Sequence, residues 1–179
     1  MIIKEIIKNL ENITDEQIER LKQLVHNHKQ IIILGNGGSS SVASHISQDY
    51  TKKLKIKSFT FSDPSRLTCY INDYGMDLAY CQFLKEFCTD NTLVILISSS
   101  GNSQNIVKCL EYCFENNIKY VLLTGFDGDN ICRRGFKESA ALEYWVNSKD
   151  YGVVECAHQV FLHTIAYMKC TAAKSSITK

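Results

Sequence analysis

The sequence predicts a three-layer αβα domain in which a doubly wound parallel sheet is covered by helices on both faces. Short runs rich in β-branched residues alternate with amphipathic stretches along the whole chain of 179 residues, and this alternation is typical of parallel sheets. Right-handed crossovers then place helices on both sides of the sheet. Because this length suits one core, residues 1–179 are predicted to form a single domain.

The first 29 residues are predicted to be helical. Apolar residues recur at helical spacing in Ile2–Leu10 and again in Asp15–His28. Thr14, followed three residues later by Gln17, has the pattern of a capping box that begins the second helix.

Five apolar runs are predicted to be strands, with helices between them. Gln30–Leu34 and Thr92–Ile97 are the most continuous of these runs, as expected for strands that are buried on both faces. The other predicted strands are Ile56–Phe61, Lys119–Leu123 and Ala141–Val146. The predicted helices are Ser39–Lys52, Pro64–Asp73, Gly75–Cys88, Gln104–Asn116 and Gly152–Lys169. The closing stretch, Thr171–Lys179, is small and polar and is predicted to fray.

The composition argues against several classes of function. Charged residues make up 22% of the chain and the net charge is +1, so nothing indicates binding to nucleic acid or to an anionic membrane surface. A local lysine run is interpreted as a solvated face: Lys52, Lys53, Lys55 and Lys57. Neither a secretory signal nor a membrane span is recognisable. We therefore expect a cytoplasmic protein whose eight cysteines, none in a C-x-x-C pair, are free thiols.

The segment Ser98–Ser103 follows a predicted buried strand and opens a predicted helix. A helix N-terminus carries unpaired backbone N–H groups and a partial positive charge. Four serine hydroxyls add donors here, and Gly101 lets the backbone approach a ligand. A Walker A loop is excluded because no G-K-[ST] follows, and G-x-G-x-x-G is also absent. We predict an anion site, because these serines exceed what a polar capping turn requires.

A second loop, Gly35–Ser39, also lies between a predicted strand and a predicted helix. Its glycines permit a tight turn with positive φ, and by itself the loop fits a simple turn as well as a ligand contact. Ligands of parallel sheets bind outside the carboxyl ends of the strands. Two such loops at one sheet edge therefore reinforce each other.

In combination, the motifs of the chain resemble the sugar isomerase (SIS) family, and within it the sedoheptulose 7-phosphate isomerases. The motifs are Gly35–Ser39 followed by His45, Asn72–Gly75, Ser98–Ser103, Leu123–Gly125 with Asp127 and Gly128, and a helix with His158 and His163. They cover about Gln30 to Met168. The resemblance implies a flavodoxin-like domain in a homotetramer. It also implies conversion of a ketose phosphate to an aldose phosphate through an enediol, with sedoheptulose 7-phosphate as the leading candidate substrate. The pathway that the resemblance implies is lipopolysaccharide or capsule biosynthesis.

The same resemblance implies the residues of the site. The phosphate would be bound by Ser98, Ser99, Ser100 and Ser103, and the sugar by Asn36, Gly37, Ser39 and Asp73, near a subunit boundary. Asp49 and His163 would be base and acid. A divalent metal, zinc first, would be held by His45, Asp49, Glu155 and His163. His45 and Asp49 are four residues apart and share a helix face. Glu155 and His163 lie about 12 Å apart along their helix, so they meet at one ion only if that helix crosses the site obliquely.

Two of these positions depart from the family pattern. Asp49 stands where the family usually has glutamate, which draws the carboxylate back, and Glu155 stands where it usually has glutamine, which adds a charge. Two histidines and two carboxylates suit zinc, and iron or manganese as well. His158 is interpreted as a polar partner of Glu155, with a role as substitute ligand as the alternative. The departures keep open a second hypothesis, a non-catalytic SIS module that binds phosphosugars or proteins.

Overall fold

The computed structural model describes residues 2–166, and they form a five-stranded sheet between two layers of helices. The strands are β1 (Gln30–Gly35), β2 (Lys57–Thr60), β3 (Thr92–Ser98), β4 (Tyr120–Thr124) and β5 (Leu142–Trp145). Their order across the sheet is β2-β1-β3-β4-β5, and every neighbouring pair is parallel. This is the flavodoxin-like order, so the predicted doubly wound αβα class is confirmed.

The helices follow the predicted segments closely, with one addition. They are α1 (Ile2–Glu11), α2 (Asp15–His26), α3 (Gly37–Asp49), α4 (Pro64–Tyr74), α5 (Met76–Phe87), α6 (Gln104–Glu115), α7 (Ile131–Phe136) and α8 (Tyr151–Ala166). The capping box of α2 is confirmed by reciprocal bonds between Thr14 and Gln17. Helix α7 was not predicted, because its six residues are too few to show helical periodicity. The predicted end of the last helix and the tail Thr171–Lys179 lie outside the described residues.

Alternate residues of the central strands face opposite helical layers. On β1, Ile31 and Ile33 pack in a buried cluster with residues of α2, α3 and α8, whereas Ile32 and Leu34 pack in a second cluster with residues of α5 and α6. All four side chains are fully buried. Strands that are buried on both faces explain the continuous apolar runs in the sequence.

The chain reverses its direction of winding between β1 and β3. From β1 it passes through α3 to β2 on one side, and from β3 it passes through α6 to β4 on the other. Gly35 at the end of β1 is in register with Ile97 near the end of β3. The loops after these two strands therefore lie side by side at the switch point, where doubly wound sheets bind their ligands.

A π-helical turn, Tyr50–Leu54, directly follows α3. This turn holds the end of α3 against α8 by a side-chain contact. Tyr50 is fully buried, and its hydroxyl donates a hydrogen bond to the carbonyl oxygen of Leu162 on α8, at 2.9 Å. This contact fixes the end of α3 beside the residue that precedes His163. Within residues 2–166 no helix combines the length and apolar character that crossing a membrane would require.

Candidate functional site

The serine-rich loop turns sharply between β3 and α6. The Ser98 hydroxyl donates to the Ser103 hydroxyl at 3.3 Å, and the backbone N–H of Gly101 donates to the carbonyl oxygen of Ser98 at 3.0 Å. Gly101 has φ +67°, and a Cβ there would lie 2.0 Å from Cγ of Asn130. Both the conformation and the close approach of Asn130 require glycine at this position.

The loop after β1 is tied to the serine loop by side chains. The amides of Asn36 and Asn105 exchange two hydrogen bonds, of 2.9 and 2.8 Å. The hydroxyls of Ser39 and Ser99 lie 3.3 Å apart. These contacts hold the N-termini of α3 and α6 next to each other. Sequence reasoning missed Asn105, because nothing in one sequence marks an amide just inside a helix as the partner of a residue 69 positions away.

Between the two loops lies a cavity of about 330 Å³ that is lined by hydroxyls, amides and backbone. Its lining residues are Asn36, Gly37, Gly38, Ser39, Ile97, Ser98, Ser99, Ser100, Ser103, Tyr151 and Glu155. Among these residues there is no lysine, arginine or histidine. Its anion donors are therefore serine hydroxyls and the unpaired N–H groups of two helix N-termini, which suit a phosphate. The cavity, which we call the anion cavity, brings together seven of the eight predicted substrate-binding residues.

The eighth, Asp73, lies elsewhere in this chain. It is exposed near the end of α4, where its carboxylate accepts a hydrogen bond from the Asn72 side chain at 3.0 Å and contacts the Cys69 thiol at 3.5 Å. It does not line the anion cavity. A contact between Asp73 and a sugar at a subunit boundary stays a prediction.

Glu155 projects from α8 into the anion cavity. Its carboxylate lies directly against Gly38 in the first turn of α3: a Cβ on Gly38 would be 2.1 Å from Oε2. Only a residue without a side chain leaves room for the carboxylate there. Partial burial raises the pKa of Glu155. The extra charge noted in the sequence therefore stands in the predicted phosphate site.

A second group of polar side chains lies further along α3 and α8. Oδ2 of Asp49 is 3.9 Å from Nε2 of His45 and 4.0 Å from Nδ1 of His163. The two imidazole rings stack with their centroids 5.0 Å apart. One donor atom from each of the three residues lies within 4.8 Å of the others. Two imidazoles and a carboxylate are donors that zinc accepts in sites with an open position, so these residues fit a divalent metal. We call them the His–Asp cluster.

The structure brings three of the four predicted metal ligands together and leaves Glu155 in the anion cavity. It adds Lys53, whose ammonium lies 2.8 Å from Oδ2 of Asp49. The hydrogen bond from Lys53 holds the pKa of Asp49 below its usual range. Burial lowers the pKa of His163. Lys53 belongs to the lysine run that was predicted to form a solvated face, and it is exposed as predicted, but its ammonium also forms an ion pair with a buried carboxylate.

His158 does not pair with Glu155, so that prediction is wrong. Its ring is fully buried beneath the sheet edge, and Nε2 lies 3.0 Å from the carbonyl oxygen of Thr124 at the end of β4. Burial lowers the pKa of His158 to about 4. The side chain is buried in the core, and it belongs neither to the lining of the anion cavity nor to the His–Asp cluster.

Comparisons with known proteins show which family the chain resembles. Residues 81–142 match the SIS domain family. A phosphoheptose isomerase from Tolumonas auensis is 33% identical over 135 residues, which are 70% of this chain and 69% of that protein. One from Fusobacterium nucleatum subsp. nucleatum is 29% identical over 157 residues, 85% of this chain and 78% of that protein.

The fold is also that of a solved relative. The structure of a phosphoheptose isomerase from Neisseria gonorrhoeae superposes with a TM-score of 0.81 at 24% identity and covers 92% of this chain and 93% of that chain. The sequence similarity extends over more than two thirds of the Tolumonas relative at 33% identity. This sequence similarity shows that the chain belongs to the phosphoheptose isomerase family of SIS-domain proteins.

Proposed function

We propose that the protein is an aldose–ketose isomerase that converts a ketose phosphate to an aldose phosphate through an enediol, with sedoheptulose 7-phosphate as its substrate. The observation that carries this proposal is that an anion cavity and a cluster of two histidines and a carboxylate occupy the same two helices, α3 and α8. An isomerase needs both parts, one to hold the phosphate and one to move protons at the other end of the sugar.

The separation of the two parts suits a long sugar phosphate. From Ser39 to His45 the axis of α3 advances by about 9 Å, and from Glu155 to His163 the axis of α8 advances by about 12 Å. An extended chain advances by about 3.3–3.6 Å for every three bonds. By that measure, the eight bonds from C1 to the phosphorus of a heptulose 7-phosphate span roughly 9 Å. A sugar phosphate anchored in the cavity can therefore present its first carbons to the His–Asp cluster.

We assign the phosphate to the serine loop and the sugar to the loop after β1. The hydroxyls of Ser98, Ser99, Ser100 and Ser103, together with the N-terminus of α6, would donate to the phosphate oxygens. Asn36, Gly37 and Ser39 would contact the sugar. This division follows the chemistry of the two loops, since the serine loop supplies most of the hydroxyl donors.

The proton transfers are assigned to Asp49 and His163. Conversion of a 2-ketose to an aldose moves one hydrogen from C1 to C2 and one proton from O1 to O2, so no proton is gained or lost overall. The lowered pKa of Asp49 keeps its carboxylate ionised, which is the form that can accept a proton, although it also makes this carboxylate a weaker base than an unpaired one. The lowered pKa of His163 keeps its ring neutral, and a neutral imidazole can both donate and accept.

A divalent metal, zinc first, is proposed at the His–Asp cluster, where His45, Asp49 and His163 would hold it. When bound it would supply a Lewis acid that stabilises negative charge on the enediolate oxygens. We further propose a homotetramer as the working form. Asp73 lies away from the cavity of its own chain, and the nearby side chains of Met76 and Leu78 are apolar and exposed, which supports a subunit boundary at this place.

The function is tested by incubating the purified protein with sedoheptulose 7-phosphate and following the aldose proton of the product by NMR. Parallel samples with a chelator, and with zinc restored after chelation, test the metal. Turnover that requires the metal supports the whole proposal. A protein that binds the phosphosugar but forms no aldose under any of these conditions is a non-catalytic SIS module instead.

A further inference from the structure

We infer that Lys53 is an internal counter-cation of Asp49 that competes with a divalent metal for the same carboxylate oxygen. In the absence of metal the ammonium satisfies the buried charge, and a metal binds only by weakening or displacing that contact. This inference rests on the metal site proposed above. It concerns how tightly the chain holds its metal, not which reaction follows.

The geometry brings both cations to one atom. Oδ2 of Asp49 accepts the hydrogen bond from Lys53 at 2.8 Å and is also the oxygen that faces His45 and His163. The Asp49 side chain is only 6% exposed, so water offers the carboxylate little alternative solvation. An ion bound to this oxygen at about 2.1 Å would lie within about 5 Å of an unmoved Lys53 ammonium.

The charges of the cluster make the two cations mutually unfavourable. Asp49 and Lys53 neutralise each other, and histidines bind metals in their neutral form. A divalent ion added to this set leaves a net charge of +2, whereas the same ion without Lys53 leaves +1. Repulsion between two cations is strong where water is scarce, so the lysine must weaken the binding of the metal.

The position of Lys53 follows from the fold. Lys53 lies four residues after Asp49, in the π-helical turn that Tyr50 fixes against α8. An acidic residue followed four positions later by a basic one is a favourable pair on a helical surface. Lys52 offers a matched control, because it is the adjacent lysine but lines a separate polar groove with Ser44, Gln48 and Ser58.

The test measures metal affinity directly. The protein is stripped of metal with a chelator, and Zn²⁺ and Co²⁺ are titrated in competition with a chromophoric chelator. The samples are the unmodified protein, Lys53→Met and Lys52→Met. We expect Lys53→Met to bind both ions about tenfold more tightly or better, and Lys52→Met to stay within about twofold of the unmodified protein, since a solvated charge is screened.

Thermal unfolding provides a second readout. Without metal, Lys53→Met should melt about 2–4 °C below the unmodified protein, because Asp49 loses its counter-charge, and saturating Zn²⁺ should remove that difference. Lys53→Gln, which keeps a hydrogen-bond donor but loses the charge, serves if the methionine variant does not fold. It should also bind zinc more tightly.

Unchanged or weaker zinc binding in the Lys53 variants overturns the inference, as does the absence of zinc binding in every protein tested. The outcome is separable from the proposed function. If the protein is an isomerase but its zinc affinity does not depend on Lys53, the proposed function stands and the inference about Lys53 fails. If the protein has no isomerase activity but Lys53→Met binds zinc more tightly, the inference about Lys53 stands and the proposed function fails.

Discussion

The anion cavity and the His–Asp cluster lie along the same two helices but are built from different materials. The cavity uses backbone N–H groups, hydroxyls and amides from two loops, each of them contiguous in sequence. The cluster uses one carboxylate and two imidazoles, with His163 more than a hundred residues from His45 and Asp49. In the cavity many weak hydrogen-bond donors would bind the anion together, whereas no other side chain of the cluster can replace any one of its three members. Single substitutions should therefore affect the two regions very differently.

The largest effect is expected in the His–Asp cluster. Asp49→Asn and His163→Ala should each lower kcat by about 10²–10⁴-fold, because each removes a group that exchanges protons with the substrate. Binding of the phosphosugar in calorimetry should change little, since neither residue lines the anion cavity. The matched comparison is Ser100→Ala, which removes one donor from the cavity and should mainly raise KM. Retained turnover in a cluster variant removes that residue from the mechanism.

His158 tests whether every histidine of α8 belongs to the site. Its pKa is about 4 in the folded protein, against 6.5 for an unperturbed histidine. Between these values the unfolded chain binds a proton that the folded chain does not. Stability should therefore be complete above about pH 6.5 and fall by about 3 kcal/mol as the pH drops to about 4. Denaturant titrations of the protein and of His158→Gln check this, and the variant should lose that share of the pH dependence.

An equal loss of stability with falling pH in His158→Gln would assign the effect to carboxylates instead. Zinc binding by the variant is the control for the site. It should be unchanged, because His158 contacts the end of β4 rather than the His–Asp cluster.

The loops themselves provide a matched pair of glycines. Gly101→Ala should cost about 2 kcal/mol or more of stability, since it combines a positive φ with a collision against Asn130. It should also weaken binding of the phosphosugar. Gly37→Ala meets only the strain, because φ is +52° but nothing lies within 4 Å of a Cβ there, and should cost about 1 kcal/mol. Denaturant unfolding measures both, and equal losses would show that Asn130 yields to the new methyl group.

The same contrast explains what could be predicted from the sequence. The serine loop is one contiguous stretch between a strand and a helix, so its residues and its place at the sheet edge were both predictable. His45 and Asp49 were predictable as a pair by their spacing. The ion pair between Lys53 and Asp49 depends on a π-helical turn, which the periodicity of the sequence does not predict. The position of Glu155 depends on the missing side chain of Gly38, a contact between distant parts of the chain.

The smallest effect is expected at Glu155, a carboxylate that lies among the hydroxyls and amides of the anion cavity. The other residues that line the anion cavity carry no charged side chain. The Glu155 carboxylate should therefore repel a phosphate held by the serine loop. The repulsion between two partly solvated unit charges in one open cavity is on the order of 1 kcal/mol. Glu155→Gln should therefore bind the phosphosugar about fivefold more tightly. The control Glu138→Gln, at a side chain 91% exposed, should bind as the unmodified protein does. Calorimetric titration decides the matter, and weaker binding by Glu155→Gln would mean that the carboxylate accepts hydrogen bonds from the sugar rather than repelling its phosphate.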